Sequence, residues 1–173
     1  MSRIIRSYGL FWKADDVYWT TSQMNADLCC HPKNRKSIQV NMRDQVGIYV
    51  LYEGHNMVYV GQTGSGSSKL FSRLKRHRHD HLQGRWDTFS WFGLRHMLRG
   101  GQLAAENMRT TSSVRVSLNQ IEAVLLAASE PYLNKQGGRF GKRATQFMQI
   151  RDERLGITDS EMLREIWERL RES

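Results

Sequence analysis

Gly47-Ile48-Tyr49-Val50-Leu51-Tyr52, then Glu53-Gly54-His55-Asn56, then Met57-Val58-Tyr59-Val60-Gly61-Gln62-Thr63: the reading of this chain turns on this stretch. Two short runs rich in Val, Ile and Tyr flank a four-residue polar break, the pattern of a β-hairpin. Side chains alternate faces along a strand, so Tyr49 shares a face with Leu51, and Tyr59 with Met57 and Gly61. Two readings of the tyrosines stay open. They can present two hydroxyls to one pocket, or they can be ordinary sheet aromatics, since Tyr favours strands anyway. On the hairpin alone the second reading is the simpler.

Downstream, Gly64-Ser65-Gly66-Ser67-Ser68 predicts a flexible turn ending in a serine N-cap, followed by a helix over 69–81. Leu70, Phe71 and Leu74 form its apolar stripe. Lys69, Arg73, Lys75, Arg76 and Arg78 surround that stripe, opposed only by Asp80. Arg73 and His77 are four residues apart and project about 40° from one another, bordering the apolar stripe. A solvated basic face accounts for Lys75 and Arg78 but less well for an inward-leaning Arg–His pair. His77, His79 and His81 cannot all bind one ion from a regular helix, because residues two apart point to opposite sides. Trp86–Leu94 reads as a third strand interrupted by Asp87 and Ser90, and 95–116 as an inserted loop.

Ser117 and Gln120 make a capping box. Leu118, Ile121, Val124, Leu125, Leu126 and several alanines then predict a helix buried nearly all round, stopped by Pro131. Glu122 falls inside its apolar arc. A buried carboxylate needs a compensating partner, and a salt bridge to an Arg such as Arg73 and a divalent-metal ligand fit equally.

The 173 residues suit one domain spanning 1–173, with a core at 46–134, an N-terminal extension at 1–45 and a C-terminal extension at 135–173. Hydrophobic residues at 39% are enough for a core. The net charge of +9 favours polyanionic partners, chiefly nucleic acid. The only cysteines, Cys29 and Cys30, are adjacent; they imply no disulfide framework and suit a reducing cytoplasm. No apolar run is long enough to span a membrane. The aromatic segment Tyr8–Trp19 predicts a strand or cap packed on the hairpin, with Trp12 and Trp19 buried rather than stacked on bases. Residues 29–43 read as a basic loop. Thr158-Asp159-Ser160-Glu161 is another capping box, opening a helix with Met162, Leu163, Ile166, Trp167 and Leu170 on one side, to pack on the domain or on a second subunit.

Taken together, these residues resemble the GIY-YIG nuclease family. Gly47-Ile48-Tyr49 matches the first triplet and Tyr59-Val60-Gly61 the second, with Val for the usual Ile. Arg73 and His77 match the family's Arg and His, Glu122 its metal-binding Glu, and Asn134 its supporting Asn. The match covers Val46 to Asn134, about half the chain. Each triplet alone is weak; the ordered set is specific. Two departures are the long connection between Phe92 and Ser117 and the glycine-serine insert before the Arg helix.

The resemblance implies an α+β fold, with a small, mainly three-stranded antiparallel sheet flanked by helices. It also implies a metal-dependent endonuclease hydrolysing phosphodiester bonds. Glu122 would hold one Mg²⁺ or Mn²⁺, Arg73 would neutralise charge on the scissile phosphate, and Tyr49 would act on the attacking water. His77 would take the Tyr49 proton, with Arg73 lowering the phenol pKa; Tyr59 would position water or phosphate, and Asn134 would orient neighbouring groups. A compact chain without large added domains is most like a restriction-type or defence enzyme. Duplex DNA is the expected substrate, with RNA an alternative, and cutting both strands favours a homodimer.

Two competing readings are a non-catalytic nucleic-acid-binding module on a nuclease fold, and a structure-selective or nonspecific nicking enzyme of repair or mobile-element type. Base contacts are expected from loops at 29–45, 95–116 and 135–147. The candidate DNA-contacting side chains are Lys69, Arg76, Arg95, Arg99, Arg139 and Lys142, toward guanine edges or phosphates.

Overall fold

A computed structural model of the chain describes residues 5–19, 27–63, 68–105, 123–124, 127–129, 140, 144–156 and 158–172. The strands are β1 (Ser7–Lys13), β2 (Cys29–Pro32), β3 (Val40–Asn41), β4 (Gly47–Glu53), β5 (Asn56–Gln62), β6 (Thr88–Gly93) and β7 (Thr145–Gln149). Among the described residues the helices are α1 (Leu70–His77) and α2 (Asp159–Glu172), with further helical residues at 123–124 and 127–129 and 3₁₀ turns at Ala14–Asp16 and Glu153–Leu155.

The expected hairpin is β4–β5, an antiparallel pair closed by a two-residue turn in which Gly54 takes a φ of 57°. The Asp87 carboxylate accepts the Gly54 N–H at 2.9 Å, so a residue that interrupts the apolar run pins the hairpin turn. The third strand, β6, lies antiparallel on the other side of β4.

The sheet does not stop there. It has seven strands in the order β3-β2-β7-β1-β6-β4-β5 and is mixed, because β1 and β7 run parallel while the other neighbours are antiparallel. This corrects the expectation of a small three-stranded antiparallel sheet flanked by helices: the protein is mostly β. The aromatic N-terminal segment supplies β1, which pairs with β6 and β7 rather than capping the hairpin. The expected basic loop at 29–43 contains β2 and β3, and the expected loop at 135–147 runs into β7. These strands carry little Val or Ile. What makes them strands is pairing with partners distant in sequence, Ser7 with Thr145 and Cys30 with Gln149, which no local propensity reports.

An apolar cluster packs on each face of the sheet. On one, Leu70, Phe71 and Leu74 of α1 pack with Trp12, Tyr49, Leu51, Trp86, Phe89, Trp91 and Phe147. On the other, the helical residues Ala123, Val124, Ala127 and Ala128 pack on Val50, Tyr52 and Phe92. The Tyr52 hydroxyl donates to the Ala128 carbonyl at 2.6 Å. Ser90, the second polar interruption, is fully buried, and its Oγ accepts the Phe11 N–H at a bulge in β1 where Phe11 takes a φ of 52°. Trp12 is buried; Trp19 packs on Phe71 and Trp86, and the Arg78 guanidinium lies over the rings of Trp19 and Trp86.

Helix α1 is shorter than expected at both ends. Its N-cap is Lys69 rather than Ser68, with the Ser72 hydroxyl turned back onto the Lys69 backbone. Beyond His77 the chain breaks into turns, because Asp80 accepts the Leu82 N–H with its side chain and the Gln83 N–H with its carbonyl. At α2 the capping box forms as expected, with Thr158 and Glu161 bonded reciprocally. The apolar side of that helix is exposed among the described residues, Leu163 at 67% and Trp167 at 57%. Among the described residues no helix is long and apolar enough to cross a membrane.

Gly47 starts β4 at a φ of 150°, and a β-carbon there would sit 2.0 Å from the Phe92 carbonyl oxygen of β6. Backbone cannot swing aside as a side chain can. Gly47→Ala is expected to lower the free energy of unfolding by about 3 kcal/mol. Urea unfolding checks this, and an unchanged midpoint would mean that β4 and β6 do not approach this closely.

Candidate active site

Tyr49 and Gly61 face each other across β4 and β5, and Leu51 faces Tyr59. A β-carbon on Gly61 would lie 2.3 Å from both Cζ and Oη of Tyr49. The tyrosine ring therefore lies flat over the one residue that leaves it room. There it is fully buried, with Tyr59 at a ring separation of 6.1 Å and His77 at 5.7 Å. The two tyrosines and the histidine form one cluster of rings.

His77 reaches this cluster as the last residue of α1 and is only 1% exposed. The apolar stripe of Leu70, Phe71 and Leu74 seats the helix on the sheet and carries His77 inward with it. Its Nε2 lies 2.7 Å from the Tyr49 hydroxyl and its Nδ1 lies 2.7 Å from Asp80 Oδ2. The His77 carbonyl accepts the Trp86 indole N–H, which ties the helix end to the aromatic core. Asp80 was visible in the sequence only as a counter-charge on a basic helix. The signal that marks it is its position three residues after a histidine, close enough for the two side chains to meet.

The electrostatics are set mainly by burial. Burial pushes the Tyr49 phenol up to about 12, against the pull of Arg73, which favours the phenolate by hydrogen bonding and by charge. Arg73 acts on the phenol in the expected direction, but desolvation of the buried ring outweighs one cation. Burial also lowers the His77 pKa, and the Arg73 charge adds to that, while Asp80 works the other way. Desolvation works against the Asp80 carboxylate, but the Leu82 N–H and His77 hold it below the usual range. At neutral pH the three groups are a phenol, a neutral imidazole and a carboxylate.

Arg73 sits one turn before His77, half-buried, with its Nε–H buried and without a hydrogen-bond partner. Tyr59 is likewise half-buried, 4.9 Å from the His77 ring. Lys69 lies at the helix start, half-buried, and Arg76 is exposed on the outer side of α1. The Arg95 guanidinium donates to the carbonyls of Asp44, Leu103 and Ala104, bracing the 95–104 loop against the start of β4. Arg99 is exposed at the tip of that loop. Glu122, Asn134, Arg139 and Lys142 lie outside the described residues. Both ring nitrogens of His77 are engaged, and His81 is exposed. Among the described residues no group of three or more His, Cys, Asp or Glu side chains is placed to hold a metal ion. The expectation of Mg²⁺ or Mn²⁺ rests on Glu122.

Comparison with protein-family models, with curated proteins and with solved structures found no match to this chain.

The buried imidazole makes stability depend on pH. The His77 pKa is lowered on folding, so the unfolded chain takes up the proton first as pH falls through 6.5. The contribution is present above that pH and is lost below it, at no more than about 1.4 kcal/mol per pH unit for one group. Asp80, also lowered, loses its contribution in the same direction at lower pH. Chemical unfolding between pH 8 and pH 5 is expected to show this decline, and His77→Gln is expected to remove the part nearest pH 6. A wild-type profile flat across that range would place His77 in a solvated setting.

Proposed function

We propose that this chain is a metal-dependent DNA endonuclease of GIY-YIG type, with duplex DNA as its substrate and restriction or defence as its role. The observation that carries this reading is the 2.7 Å contact between the Tyr49 hydroxyl and His77 Nε2, in a buried cluster that Arg73 borders. Ordinary sheet aromatics need no histidine aimed at the hydroxyl. The seven-stranded sheet lends the family no support, so the proposal rests on the motif residues and their grouping.

The pKa near 12 decides how Tyr49 acts. A standing phenolate is scarce at neutral pH, so Tyr49 serves as a relay. Its O–H proton passes to His77 Nε2 as the phenol oxygen takes a proton from water. The oxygen of that water attacks phosphorus, and the bond from phosphorus to the 3′ oxygen breaks with its electron pair on that oxygen, which takes a proton from solvent, leaving a 5′-phosphate and a 3′-hydroxyl. The net positive charge forms on the imidazole, where a carboxylate already faces it. Arg73 meets the charge on the phosphate oxygens. Its unpartnered Nε–H supports that role, since a buried donor without an acceptor costs about 1–3 kcal/mol and a phosphate oxygen is a strong acceptor for it. A divalent cation on Glu122 would supply Lewis acidity to the leaving oxygen. The basic side chains of α1 and the net charge of +9 suit a phosphate backbone.

Purified protein with unmodified plasmid and Mg²⁺ or Mn²⁺ is expected to cut the DNA. Tyr49→Phe and Arg73→Ala are each expected to slow cutting by roughly 10²-fold or more, and Glu122→Ala to abolish it. Discrete fragments indicate a site-specific enzyme; nicked circles or a smear indicate a structure-selective or nonspecific one. Binding without cleavage across unmodified duplex, branched and single-stranded DNAs would overturn the proposal in favour of a non-catalytic module.

A further inference from the structure

We infer that Asp80 is a positioning residue: its carboxylate holds His77 in the Nδ1–H tautomer and so keeps the bare Nε2 aimed at the Tyr49 hydroxyl. The inference deepens the proposed function and rests on the reading of Tyr49 and His77 as a proton relay.

The protons follow by elimination. An ionised carboxylate only accepts hydrogen bonds. Asp80 Oδ2 is 2.7 Å from His77 Nδ1, so Nδ1 carries the hydrogen. A neutral imidazole then has no hydrogen on Nε2, and the group 2.7 Å from Nε2, the Tyr49 hydroxyl, must donate to it. The phenol oxygen keeps its lone pairs for Arg73, which can only donate. With the other tautomer Nε2 would carry a hydrogen, Tyr49 would have to accept it, and the relay would have nowhere to send its proton.

The carboxylate is itself held in place. Asp80 Oδ1 accepts the Leu82 N–H at 2.9 Å, and the Asp80 carbonyl accepts the Gln83 N–H. The same turn that ends α1 thus clamps the side chain that sets the imidazole. Asp80 lies 26% exposed while His77 is enclosed, so the negative charge keeps part of its hydration as it orients a buried ring.

This arrangement makes Asp80→Asn informative. The Leu82 N–H needs an acceptor, so the amide oxygen takes the Oδ1 position. The amide nitrogen then faces His77 Nδ1 and donates to it. A change of one atom should move the imidazole hydrogen from Nδ1 to Nε2. Asp80→Glu, still an acceptor only, should not.

The test is ¹⁵N NMR of the imidazole nitrogens in the intact protein at neutral pH, with His77→Gln used to assign the His77 signals. The wild type is expected to show a protonated Nδ1 and a bare Nε2, Asp80→Glu the same, and Asp80→Asn the reverse. In the plasmid assay Asp80→Asn is expected to cut roughly 10²-fold to 10⁴-fold more slowly, with Asp80→Glu recovering part of that loss. A hydrogen on Nε2 in the wild type overturns the inference, and that spectrum decides even if a variant fails to fold. Wild-type cutting by an Asp80→Asn protein whose tautomer has reversed would support the positioning by Asp80 and overturn the proton relay through Tyr49 and His77. The predicted tautomers in a protein that cuts no DNA would support the positioning by Asp80 and overturn the nuclease reading instead.

Discussion

The Tyr49 ring lies flat against the backbone of the neighbouring strand, over a glycine. With any β-carbon at position 61 the ring would have to lift, and its hydroxyl would leave His77. Much of the cluster depends on this single cross-strand fit. The hairpin register sets Tyr49 opposite Gly61 and Tyr59 opposite Leu51. The apolar stripe of α1 then completes the cluster by carrying His77 over the phenol. Gly47 plays a related part at the other end of β4, where the backbone of β6 comes too close for any side chain. The two glycines of the paired triplets are thus steric requirements of one hairpin: one lets a third strand approach, the other lets a tyrosine lie down.

Enclosing these groups has a chemical consequence. Burial makes Tyr49 a weaker acid and His77 a weaker base than either would be in water. Neither is charged at neutral pH, and the phenol cannot be a pre-formed nucleophile or base. In the proposed reaction the proton moves along a line of contacts, from phenol to imidazole, and charge appears on the ring only as it does so. Such a site gains from a fixed carboxylate behind the ring, and the turn after α1 provides one.

The outer strands lie away from these side chains and complete the sheet that carries them. β1 lies between β6 and β7, and Trp12 and Phe147 close the core on the side where α1 sits. The Trp12 indole N–H donates to the Phe147 carbonyl, which ties the N-terminal strand to a partner 135 residues away. Arg95 braces the loop after β6 on the start of β4. These contacts hold the hairpin from the side opposite its free edge.

What the sequence by itself determined was local. Alternation and a glycine turn predicted the hairpin, the 3.6-residue spacing of Leu70, Phe71 and Leu74 predicted α1, and Thr158 with Glu161 predicted the cap of α2. Both tyrosines and the Arg73–His77 pair could be picked out because each lies at a fixed spacing within one element. The tertiary structure decided everything that depends on partners distant in the chain. It brought β1, β2, β3 and β7 into the sheet, although Cys29–Pro32 carries none of the usual strand residues and Thr145–Gln149 only Thr145 and Phe147. It turned a counter-charge into the partner of His77, because the helix ended earlier than its periodicity suggested and the turn swung Asp80 back toward the ring. It also set the net Tyr49 shift upward, although Arg73 pulls the phenol the expected way. Spacing along a chain shows which charges lie near a phenol, but only the folded molecule shows how much water has been taken away from it, and here the loss of water is the larger effect.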